Sequence, residues 1–352
     1  MKIIHFSDTH LGFSDLDVLN ENNINQREAD FYDAFNQVVE YIKTSKPDFI
    51  IHTGDLFHRV SPTNRAISFA LNKFNELNQL NIPFIVIAGN HSTPRTNLSS
   101  PILKIFENFE NIYLSYNQEY KKFEFDNIVF HTIPHLNDES KFEEELEKCE
   151  EKISSKHNLL MLHCSVGENY LMKEFGEFVY PKDKEYLFEK MDYVALGHWH
   201  GFKKVKENVY YSGATEATSL NDKREKGFVE LNDFEVKFIP IQTRKIIKKI
   251  IDCENFEIDT DDTKDAIVEV VLENLTPAKS LEISNVEIKE HFNEAMNVII
   301  KRVFKDDKID YNEIESISLE ESFLDMIKDD ENYLNLESKI KELFQKVNDV
   351  SK

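Results

Sequence analysis

The chain has 352 residues, 41% of them hydrophobic, which is more than one ordinary domain needs and enough for a packed core, so a disordered chain is excluded. A formal net charge of −23 excludes a protein that coats nucleic acid with a basic surface. It leaves room for an enzyme that meets phosphate through bound cations, since two divalent ions add about four positive charges locally.

Met1 leads directly into the strand-like Ile3-Ile4-His5-Phe6, with no basic and apolar leader pattern, and no apolar run nears the roughly 20 residues that cross a bilayer. The expectation is a cytoplasmic protein without a membrane segment. Strands are predicted at Lys2–Ser7, Asp48–Thr53, Pro83–Ala88, Ile128–Ile133, Leu159–His163 and Tyr193–Leu196, alternating with helical stretches as in a layered α/β domain. Between the first two, Phe31, Phe35, Val38, Val39 and Ile42 recur at helical spacing and predict a helix over Gln26–Lys43. Ser61-Pro62, a capping serine followed by proline, predicts the start of a second helix that buries Ile67, Leu71, Phe74 and Leu77.

After His200, short β segments at Val209–Ser212, Gly227–Leu231 and Val236–Ile241 predict an antiparallel half-sheet. The basic run Arg244-Lys245…Lys248-Lys249 closes this stretch, so residues 1–243 are expected to form one domain. Residues 250–305 are expected to form a smaller mixed α/β domain, with a β-branched run at Ala266–Leu272 and a helical pattern over Ile288–Phe304. Residues 306–352 hold 14 acidic and 6 basic side chains and two short amphipathic helical patterns. Cys149, Cys164 and Cys253 lack the spacing of a disulfide framework or a zinc ribbon.

Five short signals share one placement, each just past the end of an apolar strand: Asp8-Thr9-His10, Gly54-Asp55, Gly89-Asn90-His91, His163 and Gly197-His198-Trp199-His200. Loops at the carboxyl ends of strands in open α/β sheets converge on the ligand site. Carboxylates, imidazoles and one amide suit manganese, iron or zinc better than calcium. The glycines before Asp55, Asn90 and His198 are expected to let the backbone turn sharply. Taken singly, each signal also fits ordinary turn or cap chemistry; His-x-His is the strongest, since two imidazoles two residues apart on an extended segment point the same way.

Together these motifs resemble the calcineurin-like metallophosphoesterase superfamily, with its D-x-H, GD, GNH, H and GHxH pattern, complete over residues 1–243. The resemblance implies an α-β-β-α sandwich with a smaller C-terminal capping domain and C-terminal helices. It implies two divalent metal ions, with manganese expected. Asp8, His10, Asp55 and His200 would bind one; Asp55, Asn90, His163 and His198 would bind the other. His91 would face the scissile phosphate as the catalytic group, where an imidazole can protonate a leaving alkoxide near neutral pH.

Gly54-Asp55-Leu56-Phe57-His58 lacks the arginine of the protein phosphatase motif and is similar to the SbcD-type nuclease subunit of double-strand-break repair. Arg27-Glu28-Ala29-Asp30, Ser212-Gly213-Ala214-Thr215-Glu216 and Lys226-Gly227-Phe228 extend that likeness, with Ser212 where the family usually has proline. The resemblance implies a DNA exonuclease and endonuclease, an SbcC-type coiled-coil ABC ATPase partner for the C-terminal helices, and a homodimer. His58 resembles a position that orients a DNA end. Arg59, Arg65, Arg95, Lys203, Lys204 and Lys206 are candidate contacts to the DNA backbone, because basic side chains neutralise phosphates. His5, His52, His131, His135, His157 and His291 lack motif context and are read as structural or exposed, and Trp199 as a packing anchor. A phosphatase or small-nucleotide phosphodiesterase, and a non-catalytic scaffold, remain alternative readings.

Overall fold

The computed structural model of the chain describes residues 1–96, 99–138, 140–167 and 179–305; the helical patterns beyond residue 306 lie outside them. Alternation of apolar side chains along short strands decides the layering, because successive residues point to opposite faces of a sheet. In the first sheet β1 (Lys2–Phe6), β2 (Phe49–His52), β3 (Phe84–Ile87) and β4 (Ile112–Ser115) run parallel. The second sheet takes β5 (Lys121–Glu124), β6 (Ile128–Ile133), β7 (His157–His163), β8 (Tyr193–Gly197), β9 (Lys203–Lys206) and β10 (Val209–Tyr211), in the order β5-β6-β7-β8-β10-β9.

Ile3, Ile51 and Ile85 of the first sheet face Phe130, Leu159, Met161 and Tyr193 of the second, so the two sheets bury one shared core. The alternate residues Ile4, Ile50, Phe84 and Val86 turn outward under α1 (Gln26–Ser45) and α2 (Asn64–Asn78). Leu160, Leu162, Val194 and Leu196 turn outward on the other side, under Phe142 and Leu146 of α3 (Ser140–Glu150) and the short 3₁₀ stretch with Leu187 and Phe188. The result is the expected α-β-β-α sandwich.

Three expectations change. The second helix starts at Asn64 rather than at Ser61-Pro62, because the Thr63 side chain accepts from the Ala66 N–H and is the actual cap. The short strands after His200 do not form one antiparallel half-sheet. β11 (Gly227–Asn232) and β12 (Glu235–Pro240) form a hairpin that adds to β1, whereas β10 joins the second sheet parallel to β8. Asp233 and Phe234 both have left-handed φ, the twist that a two-residue hairpin turn requires. Finally, the helical pattern over 288–304 divides into α5 (Asn285–His291) and the strand β15 (Asn297–Phe304). The β-branched run Val298-Ile299-Ile300 pairs parallel with β14 (Ile267–Leu275), itself parallel to β13 (Ile246–Asp252). Sheet pairing here outweighs a 3.6-residue pattern. This third sheet has its own apolar core, in which Val268, Val270 and Leu272 meet Ile288 and Phe292, and α4 (Pro277–Glu282) precedes α5.

Two imidazoles are built into the first sheet. His5 lies between the Tyr193 hydroxyl and Thr53 Oγ1, each at 3.0 Å, and His52 Nε2 lies 3.2 Å from Thr9 Oγ1. Burial pushes both down to about 3, further for His5 by the neighbouring His52 and against the pull of Asp55 for His52. Because these folded values lie below 6.5, the neutral rings stabilise the fold fully above pH 6.5, and that contribution drains as pH falls toward 3 while the unfolded chain takes up protons. Urea unfolding in chelator should therefore show stability falling across this window. His5→Gln combined with His52→Gln should make the fall shallower; an unaltered slope would remove these two groups as its source.

Candidate metal centre

The loops that leave β1, β2, β3, β7 and β8 meet at one edge of the sandwich. Those after β1 and β2 run side by side: the N–H groups of Asp8, His10 and Leu11 donate to the carbonyls of Gly54, Asp55 and Leu56 at 3.0, 3.0 and 2.8 Å. Asp8, His10, Asp55 and His198 all take left-handed backbone, at φ of 50°, 41°, 55° and 98°. Such backbone costs on the order of 1–3 kcal/mol per residue and persists only where the surroundings over-determine it. Gly54 turns sharply as expected, at φ 102°. Gly89 and Gly197 are glycines for a different reason, crowding: a Cβ would lie 2.2 Å from Asp55 Oδ1 and 2.0 Å from the Thr53 carbonyl, respectively.

These loops bring the predicted ligands together. Donor atoms of Asp8, His10 and His200 lie within 4.8 Å of one another, as do those of Asp8, Asp55 and His163. Asn90 Oδ1 is 2.9 Å and Asp55 Oδ2 3.3 Å from His163 Nε2. The His198 ring stands edge-on to His163 at 5.3 Å, and its backbone N–H donates to the Asp8 carboxylate at 3.0 Å.

Partners outside the cluster set the orientation of two of the rings, those of His163 and His200. His163 Nδ1 donates to the Thr53 carbonyl at 2.8 Å, which turns Nε2 toward the oxygens of Asn90 and Asp55. His200 Nδ1 lies 2.9 Å from Thr218 Oγ1, and its Nε2 meets His10 Nε2 at 3.1 Å. His10 Nδ1 is buried with no hydrogen-bond partner. Ser7 Oγ donates to the Asp8 carboxylate and accepts from Ser212 Oγ at 2.9 Å, so Ser212 extends a hydroxyl chain to that carboxylate.

Lone pairs therefore converge in a buried space with too few protons to satisfy them. Burial alone would raise the Asp55 carboxyl, but the imidazole of His163 against it holds it well below the usual carboxylate range. Burial likewise opposes the charged form of His163, and Asp55 overrides it and lifts the ring to about 9. The same field that draws a proton onto His163 suits a cation. The donor set, oxygen and imidazole with outer hydrogen bonds fixing the His163 and His200 rings, suits a first-row divalent metal ion.

His91 and His58 stand beside this set. The His91 N–H donates to Asp55 Oδ1 at 2.9 Å, and its Nδ1 donates to the His58 carbonyl at 2.6 Å. Its ring lies 4.9 Å from His10 and stacks on His58 at 5.3 Å. Burial, then the charges of His91 and Arg59, push His58 down to about 4. Sequence reasoning missed Thr218, 18 residues along the chain from the ring it orients, and read His135 as structural or exposed. His135 follows β6, its N–H donates to the Ala88 carbonyl at 2.9 Å, and burial, with the charge of His163, holds it at about 4. Its place just past a strand end was the available signal.

The basic candidates divide. Arg59 and Arg95 are exposed. Arg65 is bound to Glu28 at 2.8 Å, Lys204 to Glu207 at 2.8 Å and Lys206 to Glu185 at 2.6 Å. Lys203 lies on the edge strand β9 over Trp199, which also carries the Arg224 guanidinium at 4.3 Å and packs against the helix-covered face of the second sheet.

A family model described as calcineurin-like phosphoesterase matches residues 1–202. Three relatives are each named DNA double-strand break repair protein Mre11. That of Methanocaldococcus jannaschii is 30% identical, with the match covering 93% of this chain and 85% of the relative. That of Methanococcus maripaludis is 30% identical and covers 95% and 92%. The relative from Thermoplasma acidophilum is 30% identical, with 70% of this chain matched to 66% of its length. Among the described residues no helix is long and apolar enough to cross a membrane.

Because a Cβ at Gly89 would sit on Asp55 Oδ1, Gly89→Ala should displace that carboxylate. Calorimetric titration with manganese should show affinity lowered by about 10-fold or more while far-ultraviolet circular dichroism stays unchanged. Undiminished affinity would argue against Asp55 as a ligand.

Proposed function

The chain belongs to the calcineurin-like phosphoesterase family and, within it, to the family of the Mre11 repair proteins, and from that premise we propose that it is a DNA nuclease of double-strand-break repair that works with two divalent cations. It is a metal-dependent phosphodiesterase, a hydrolase of ester bonds. The observation that supports the two-cation reading is the convergence of buried carboxylate, amide and imidazole lone pairs around Asp8 and Asp55. Asp8, His10, Asp55 and His200 would hold one cation, and Asp55, Asn90, His163 and His198 the other. When bound, divalent cations such as manganese polarise the phosphate and offset the charge that grows on its oxygens.

The protein's own groups do the rest. Thr53 and Thr218 hold the rings of His163 and His200 so that each Nε2 stays directed inward. The His58 carbonyl fixes the Nδ1 proton of His91, which makes Nε2 the nitrogen that exchanges a proton with substrate. That carbonyl also stabilises the ring once it is positively charged, so His91 can hold a proton beside the cluster and release it to a departing alkoxide. His58 stacks on this ring and reaches the same space as His10 and His91, a place from which to orient a strand end. Arg59 and Arg95 are the exposed cations nearest in sequence to these loops and suit backbone contacts.

The same reading extends to assembly. The SbcD-type resemblance of Gly54–His58 and its companion motifs supports an SbcC-type ATPase partner and a homodimer, with residues 306–352 as the partner-binding segment.

Purified protein should degrade linear duplex or single-stranded DNA when manganese is supplied and stop when it is chelated. Intact DNA alongside rapid hydrolysis of a small phosphodiester would point instead to a small-substrate phosphodiesterase. His91→Ala should cut cleavage by about 10²–10⁴-fold, the usual worth of a general acid, with manganese affinity nearly unchanged. Full activity in that variant would dismiss His91 as the proton donor.

A further inference from the structure

Three motifs remain outside the metal centre: Arg27–Asp30, Ser212–Glu216 and Lys226–Phe228. The first two assemble into one ionic network with Arg244, while Lys226 of the third pairs separately with Asp222 and the His200 carbonyl. Arg27, Asp30 and Glu216 are 3%, 7% and 1% exposed. Arg27 binds Asp30 Oδ2 at 2.7 Å and Glu216 Oε1 at 3.3 Å, and it donates to the Ala217 carbonyl at 2.6 Å. Arg244 grips both Asp30 oxygens at 2.6 Å through Nε and Nη2, while its Nη1 donates to the Asp265 carbonyl at 2.6 Å. Asp265 lies in the loop that enters β14.

The path ends on a ligand ring. Ala217 adjoins Thr218, whose Oγ1 lies 2.9 Å from His200 Nδ1. The His200 carbonyl is pinned separately, by Lys226 Nζ at 3.0 Å and the Ala214 N–H at 3.1 Å. The backbone of His200 is thus fixed without the network, and the orientation of its ring depends on residues 217 and 218. Burying Arg27, Asp30 and Glu216 carries a desolvation cost that pairing must repay, and apolar packing often stabilises as well. The network does something that apolar packing would not: it ties the three-stranded sheet to a metal ligand through directional bonds.

We propose that Arg27 and Arg244 are positioning residues, which through Asp30 and Thr218 couple the seating of the three-stranded sheet to the orientation of the His200 imidazole. A movement of that sheet is then felt at one metal ligand through about four side chains. The inference rests on the metal-centre reading above and concerns its regulation.

The test is a double-mutant cycle on manganese affinity, measured by calorimetry on the full chain, with Arg244→Gln, Thr218→Val and the pair. Each single change should weaken binding by about 10-fold, in the range seen when an outer partner of a ligand is lost, and the pair should be no worse than the weaker single variant. In chelated protein the ring ¹⁵N shifts of His200 should move in both variants. Unchanged affinity with Arg244→Gln, or losses that multiply in the pair, would overturn the coupling. If Arg244→Gln does not fold, Arg244→Lys keeps the charge, loses the two-pronged grip on Asp30 and serves the same cycle. Unsubstituted protein that binds manganese but cuts no DNA would defeat the nuclease reading alone, since the cycle is read from binding. Absence of manganese binding in the unsubstituted protein would defeat both.

Discussion

A buried carboxylate set against an imidazole that it holds in the charged form is the constraint around which this molecule is organised. Asp55, His163 and Asn90 crowd acceptors together where water is scarce, and Asp8, His10 and His200 do the same beside them. Left alone such an arrangement repels itself, so the surrounding structure must hold it open against collapse or rotation. The paired loops after β1 and β2, the left-handed backbone at four ligand candidates and the glycines that admit Asp55 and Thr53 at short range all serve that end. The strain is affordable because two six-stranded sheets, each covered by helices, fix the strand ends from which the loops depart.

Electrostatics are concentrated rather than spread. A chain with net charge −23 repels a polyanion over most of its surface, and several lysines and arginines that would offset this are occupied by neighbouring glutamates. Attraction for phosphate would then come chiefly from cations bound at the metal centre. The ionic network at Arg27, Asp30 and Arg244 belongs to another class of charge: buried at Arg27 and Asp30 and half-buried at Arg244, it links parts of the fold through directional bonds.

Sequence pattern was sufficient for most central strands and for singling out the candidate ligands at their ends. Apolar alternation located β1, β2, β3, β6, β7 and β8, and strand-end position picked out Asp8, His10, Asp55, Asn90, His163, His198 and His200, which the fold gathers. Edge strands such as β5 and β9 escaped because their exposed faces are rich in lysine and lack an apolar period. The run at 297–304 was misread as helix because a strand buried on one face by α5 and bordered by β14 presents an apolar spacing that a helix can also present.

What the sequence determined by itself was chemistry: which side chains end strands, and that they are ligand-forming types, since these depend only on local periodicity and residue identity. What only tertiary structure decided was orientation and connection. That Thr218 steers His200, that Ser212 reaches Asp8 through Ser7, and that Arg244 meets Asp30 follow from contacts between residues distant along the chain. No local pattern encodes such contacts, because a hydrogen bond between distant residues is specified by where the packed sheets place two backbones, and not by either segment alone.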